Sequence, residues 1–151
     1  MIKLLIFIEL FAIDFISKQF IFNFVDLHNF IPINFFLDIT HIHNYGVSFG
    51  LLSGLVHPSV LVVIGLLVVS FIYYLMIGSA DVLEELGLLI ILSGAISNII
   101  DRIYNGYVID FIFLHYKDFY WPAFNFADIY ITIGVLIIIY KNYTIIKKKY
   151  E

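Results

Sequence analysis

Four stretches of the chain stay apolar long enough to cross a hydrocarbon core of about 30 Å, which takes roughly 17 to 25 helical residues. They cover residues 2–22, 60–77, 86–104 and 124–142. The second carries no charge and begins just after His57-Pro58-Ser59, where a proline in the first helical turn is well tolerated. The first is interrupted by Lys3, Glu9, Asp14 and Lys18. The third ends in Ser97-Asn98-Ile99-Ile100-Asp101-Arg102, and the fourth opens with Asn125 and Asp128. A signal peptide would need a basic start, a short apolar stretch and a small-residue cleavage site; Glu9, Asp14 and Lys18 fit that poorly, so the first span is expected to be retained. The pattern predicts an all-α integral membrane protein, one domain over residues 1–151, built as a bundle of four transmembrane helices.

The connections are unequal. Between the first and second spans, residues 34–43 alternate in part and are rich in β-favoured side chains, which predicts a short sheet lying on the membrane surface. Asn44-Tyr45-Gly46 follows as a turn signal, and a short interfacial helix is expected around residues 49–56. Phe119-Tyr120-Trp121-Pro122 reads as an aromatic belt that sets the start of the fourth span at headgroup level.

Composition agrees with this reading and narrows the chemistry. With 62% hydrophobic and 13% charged residues, the chain lies outside the soluble average. The absence of cysteine removes disulfides, thiol nucleophiles and thiolate metal sites together. A net charge of -4, with only eight lysines and arginines and three of those at Lys147 to Lys149, offers no basic face to nucleic acid. Lys3 before the first span, and Lys141 with Lys147 to Lys149 after the fourth, place both termini in the cytoplasm by the positive-inside rule. The short loop at 78–85 carries Asp81, Glu84 and Glu85 without a cation, but acids count for little in that rule.

An ionisable group at the bilayer centre costs roughly 2.5 to 3.5 kcal/mol even on lenient scales, so the polar minority is the first place to look for function. With the amino terminus inside, Asp14/Lys18, Asn98/Asp101/Arg102 and Asn125/Asp128 all fall toward the outer boundary, joined there by Asp110, Asn44 and the five histidines of the outer connections. Each has an unremarkable reading too. Asp14 and Lys18 stand one helical turn apart and can neutralise each other; Arg102 at a helix end can extend to the interface without a task; His41 and His43 share a strand face but lack a third metal ligand. Glu9 has no sequence partner, and a buried position is one reading of it.

Asp110 and Asp128 have no cation at helical three or four spacing. Two uncompensated carboxylates within reach of each other share one proton, one acting as base toward water and the other as acid, which hydrolyses an amide without thiol, serine or metal. Asp101 is a third candidate, because Arg102 points to another side of the helix. Two other classes compete: a proton-coupled carrier, which predicts ionisable groups spread through the bilayer, and an assembly partner whose polar residues join helices.

In order and spacing, Asp14-Phe-Ile-Ser-Lys18, Asn44-Tyr-Gly46-Val-Ser-Phe-Gly50, Ser93-Gly-Ala-Ile-Ser-Asn98-Ile-Ile-Asp101-Arg102, Val108-Ile-Asp110-Phe-Ile112 and Trp121-Pro-Ala-Phe-Asn125-Phe-Ala-Asp128 resemble the successive motifs of bacterial lipoprotein signal peptidases, the type II family of aspartic membrane proteases. The resemblance covers nearly the whole chain. Phe15 stands where that family usually has Gln, and Ser93 and Ser97 where it usually has Gly.

The resemblance implies a four-helix bundle with a small extracytoplasmic sheet and a surface helix, in the bacterial cytoplasmic (inner) membrane. It implies cleavage of prolipoproteins on the amino side of a diacylglyceryl-modified cysteine, without metal or organic cofactor, in contact with membrane lipid, and inhibition by globomycin-type cyclic peptides. Asp110 and Asp128 would be the catalytic dyad. Asn44, Gly46, Asn98, Arg102 and Asn125 would hold substrate or support the dyad, with Asp14, Lys18 and Asp101 bracing the site.

Overall fold

A computed structural model describes residues 1–47 and 54–150. Its four long helices are α1 (Ile2–Phe24), α2 (Pro58–Gly78), α3 (Val82–Asn105) and α4 (Phe126–Tyr150). Among the described residues, α2, α3 and α4 are long and apolar enough to cross a membrane. Helix α1 has the length, but Glu9, Asp14 and Lys18 interrupt its apolar run. The surface helix expected around 49–56 falls largely on residues outside the described set.

Helix α3 is the hub, packing against α1, α2 and α4. It is also the most deeply buried of the candidate spans, whereas α2 shows most of its surface to the surroundings. Small residues let α3 and α4 touch backbone to backbone. A Cβ on Gly94 would stand 2.4 Å from the Ala127 carbonyl oxygen, and one on Gly134 would stand 2.5 Å from that of Gly87. Asp81 caps α3 by accepting from the Glu84 N–H at 2.8 Å.

One end of the bundle gathers charge that looked unpaired in sequence. Glu85 is paired with Lys3, and Glu84 with Lys141 at 2.5 Å, so the two acids in the first turn of α3 are neutralised by cations from α1 and α4.

At the opposite end lies a four-stranded antiparallel sheet in the order β1 (Phe30–Pro32), β2 (Leu37–Asn44), β3 (Val108–Tyr116), β4 (Phe119–Tyr120). The sheet thus draws on both long connections. In the second, Val108-Ile-Asp-Phe-Ile-Phe-Leu-His-Tyr116 is a β-favoured run that the aromatic-belt reading passed over. Ile21 and Val25 of the α1 end pack on Ile109 and Phe111, which seats the sheet on the bundle. The register slips between Ile39 and Ile42 and then sets Ile42 opposite Asp110 and Asn44 opposite Val108.

Candidate active site

The Phe124 segment joins sheet to helix. Its carbonyl accepts from the N–H groups of Phe111 (3.0 Å) and Ile112 (2.8 Å), and its own N–H donates to Ile112 O at 3.0 Å. This clamp lays the residues before α4 along β3 and carries Asn125 to Asp110.

Asn125 and Asp128 then form a reciprocal cap on α4. The Asp128 N–H donates to Asn125 Oδ1 at 3.0 Å, and the Asn125 N–H donates to Asp128 Oδ2 at 3.2 Å. The same Asn125 side chain donates through Nδ2 to Asp110 Oδ1 at 2.7 Å. Asn125, fully buried, therefore bonds both carboxylates, Asp110 through its side-chain amide and Asp128 through its backbone N–H. Asp110 Oδ2 accepts from Asn44 Nδ2 at 2.9 Å, and Asn44 Oδ1 in turn accepts the Gly46 N–H at 2.9 Å, an Asx turn at the end of β2. Burial, and next the neighbouring charge of Asp128, push the Asp110 carboxyl up to about 7 against the donation from Asn44 and Asn125.

The other sequence-selected groups form a second, contiguous network. Lys18, fully buried on α1, lies 2.7 Å from Asp14 Oδ2 and 3.0 Å from Asp101 Oδ2, and donates to Asn98 Oδ1 at 2.8 Å. The Asp101 contact is an ion pair off hydrogen-bond alignment. Asn98 passes the connection on, its Nδ2 donating to Asp128 Oδ1 at 3.0 Å. Asp14 accepts the Ser97 hydroxyl at 2.6 Å and the Ala127 N–H at 2.8 Å, so a carboxylate of α1 also caps the first turn of α4. Arg102 turns inward instead of extending to the interface; Nη2 donates to Gly46 O at 2.5 Å and Nη1 to Asn98 O at 3.4 Å.

Asp110, Asp128, Asn44, Asn98 and Arg102 line one cavity of about 620 Å³ between α2, α3, α4 and the sheet. Its remaining wall is mostly apolar, from Leu61, Ile64 and Val68 of α2 to Ile129 and Ile133 of α4. The arrangement suits an extended apolar ligand whose polar bond is presented to two carboxylates at one end.

Several residues stand otherwise than their sequence suggested. Glu9 is exposed on α1 and is not packed inside the bundle. Ser97, noted only as a small substitute for glycine, is an Asp14 donor. Trp121, read from sequence as part of an aromatic belt, lines the cavity, as does Thr132, which was not singled out though it stands one helical turn beyond Asp128. His41 Nδ1 bonds Val25 O at 2.8 Å and His43 bonds His41 at 3.1 Å while stacking on Tyr107 at 3.6 Å. The two histidines belong to the sheet and not to the cavity. Among the described residues no group of three His, Cys, Asp or Glu side chains is placed to hold a metal.

Comparison with known proteins gives the family. A lipoprotein signal peptidase of Wigglesworthia glossinidia brevipalpis is 42% identical over 141 residues, covering 91% of this chain and 92% of that one. That of Buchnera aphidicola subsp. Schizaphis graminum is 38% identical over 136 residues, 87% of each chain. A bacterial membrane enzyme solved by the in meso method superposes with a TM-score of 0.86 at 28% identity, covering 94% of this chain and 87% of that one. The family model described as Signal peptidase (SPase) II matches residues 6–144, and with likeness of this extent the chain belongs to the signal peptidase II family of membrane proteases.

Proposed function

We propose that this protein removes the signal peptide from prolipoproteins as an aspartic endopeptidase, cutting on the amino side of a diacylglyceryl-modified cysteine. The observation that carries the reading is the pair Asp110 and Asp128 at the polar end of an apolar cavity, joined by Asn125 and, among the described residues, hydrogen-bonded by amides and not by cations. A substrate helix would lie against the apolar wall and bring its scissile bond to the carboxylates.

In this mechanism the pair shares one proton near neutral pH, carried by Asp110, whose ionisation burial opposes. Asp128 takes a proton from water as the water attacks the scissile carbonyl. Asp110 hydrogen-bonds the developing oxyanion, and the proton on Asp128 passes to the leaving amine. Asn125 and Asn98 fix the Asp128 carboxylate, Asn44 fixes Asp110, and Arg102 holds the Asn44–Gly46 turn through Gly46 O. Asp14, Lys18 and Asp101 support the α3 and α4 ends from behind. The chemistry uses no metal or organic cofactor, and globomycin-type cyclic peptides would occupy the same cavity.

The disposition we infer is one protease domain of four spans in the bacterial inner membrane, α1 included, with both termini cytoplasmic and the dyad at the extracytoplasmic face. The pairing of Lys3 and Lys141 with Glu85 and Glu84 in the first turn of α3 supports a common side for those segments. The test is incubation of the purified protein in nanodiscs with a diacylglyceryl-modified precursor peptide. Wild type releases the signal peptide; Asp110→Asn and Asp128→Asn do not, while remaining folded. Ordinary turnover by either variant would refute the dyad.

A further inference from the structure

Beside the catalytic cavity is a smaller hollow of about 270 Å³ in the outer sheet, walled by Phe36, Leu114, His115, Tyr116, Phe119 and Trp121. Its lining presents carbon only, and the one ring among these that carries a charge-bearing group, His115, has its Nε2 turned to Asp38 at 3.1 Å. Trp121 lines both the hollow and the catalytic cavity. The walls are set by backbone and not by side-chain chance: His115 N–H donates to Phe36 O at 2.9 Å, and Trp121 N–H donates to Leu114 O at 2.8 Å. Around the hollow the same surface exposes Phe35, Phe119 and Tyr120, at 76%, 63% and 61%. An apolar surface of this extent, outside the helices and rimmed by aromatic rings, marks a place where lipid or an apolar ligand sits.

We infer that this hollow is a subsite for an acyl chain of the substrate's diacylglyceryl group, with Trp121 the partition over which the chain passes from the modified cysteine. The inference rests on the proposed function and deepens it. The shared Trp121 wall sets the hollow next to the catalytic cavity, which favours a chain attached at the scissile end over a bulk phospholipid. The lipid tails of the bilayer are as apolar as the hollow, so the subsite acts through packing and alignment rather than through transfer from water.

The test uses a diacylglyceryl precursor peptide with a photoactivatable diazirine midway along one acyl chain, and the full-length protein in nanodiscs of unlabelled phospholipid. Photolysis is expected to attach the label within residues 114–121, and excess unlabelled diacylglyceryl peptide to suppress it. Label confined to α2 and α4, or equal labelling of 114–121 by a diazirine phospholipid that the peptide does not displace, overturns the subsite. The second arm is kinetic. Leu114→Trp fills the hollow and should raise KM about tenfold, equivalent to about 1.4 kcal/mol, with kcat little changed. Phe119→Ala, which removes an exposed ring from the wall, should raise KM in the same direction. Unaltered KM in both variants also overturns it. If wild type fails to cleave the unlabelled peptide, the proposed function fails; if it cleaves but neither arm responds, the subsite alone fails.

Discussion

Replacing Asp110 by Asn should stabilise the protein at alkaline pH while abolishing turnover. Asp110 is 2% exposed, and its carboxyl is pushed from 3.8 up to about 7 by burial and by the charge of Asp128. At about 1.36 kcal/mol per pH unit, ionising it in the folded protein costs about 4 kcal/mol once pH exceeds 7. The direction follows from proton binding: the folded state holds the proton more tightly than the unfolded chain. The favourable contribution is therefore complete below 3.8 and is lost as pH rises through 7. An amide at this position never ionises and escapes that loss.

The exchange has an opposing part. Both Asp110 oxygens accept from amides, Asn44 Nδ2 at 2.9 Å and Asn125 Nδ2 at 2.7 Å. Asn has a single acceptor oxygen, so one donor would face another donor, at a cost of about 1 to 3 kcal/mol. The net is a gain of about 1 to 3 kcal/mol for Asp110→Asn at pH 8, or a rise of about 3 to 8 °C in apparent melting temperature for a chain of this size. At pH 4 the gain should vanish or reverse. Thermal melts of both proteins in the same nanodiscs at pH 4, 6 and 8 measure it. A variant that melts lower than wild type at pH 8, or a difference that does not change with pH, would refute the reasoning.

Gly94→Ala should loosen α3 from α4, because its Cβ would stand 2.4 Å from Ala127 O; overpacking of this kind costs about 1 to 3 kcal/mol. Since Ala127 adjoins Asp128, kcat should fall with it, whereas Gly78→Ala, with nothing within 4 Å, should melt and turn over like wild type. Lys18→Met should cost about 3 to 5 kcal/mol by leaving Asp14 and Asp101 buried without their cation, seen as loss of the monodisperse peak in size-exclusion chromatography. Adding Asp14→Asn to Lys18→Met should restore part of that peak, and no restoration would mean that the charge imbalance is not what unfolds the single variant.

The parts of the fold visible in the sequence are those encoded at short range. Helices α2, α3 and α4 follow from unbroken apolar length, and the Asp14/Lys18 pair from one-turn spacing. The pairings that were not visible join residues far apart in the chain. Spacing along α3 left Asp101 without a cation; its cation is Lys18 of α1, a residue outside any local window. The clamp of Phe124 on Phe111 and Ile112, which brings Asn125 to Asp110, is likewise a tertiary feature. Strand β3 was legible in principle, since Val108 to Tyr116 is rich in β-favoured residues, but its partner β2 comes from the other outer connection. Arg102 was ambiguous for a different reason: a helix-end arginine can reach water or turn inward, and only the Gly46 carbonyl across the cavity decides between them.

The distribution of positive charge explains why so polar a cluster keeps two carboxylates fit for acid-base work. Four carboxylates share this cluster with Lys18 and Arg102, and a cation in direct contact draws a carboxylate toward ionisation. Here Lys18 spends its contacts on Asp14, Asp101 and the Asn98 carbonyl oxygen, and the hydrogen bonds of Arg102 go to backbone oxygens of Gly46 and Asn98. Among the described residues, Asp110 and Asp128 accept hydrogen bonds from amides alone: Asn44 and Asn125 on one, Asn98 and the Asn125 N–H on the other. Neutral donors orient a carboxylate with far less pull on its proton than an ion pair exerts. The cations hold the scaffold at one remove, through Asn98 and Gly46, so that both carboxylates are fixed in place while the Asp110 carboxyl stays raised to about 7, as the proposed acid-base role requires.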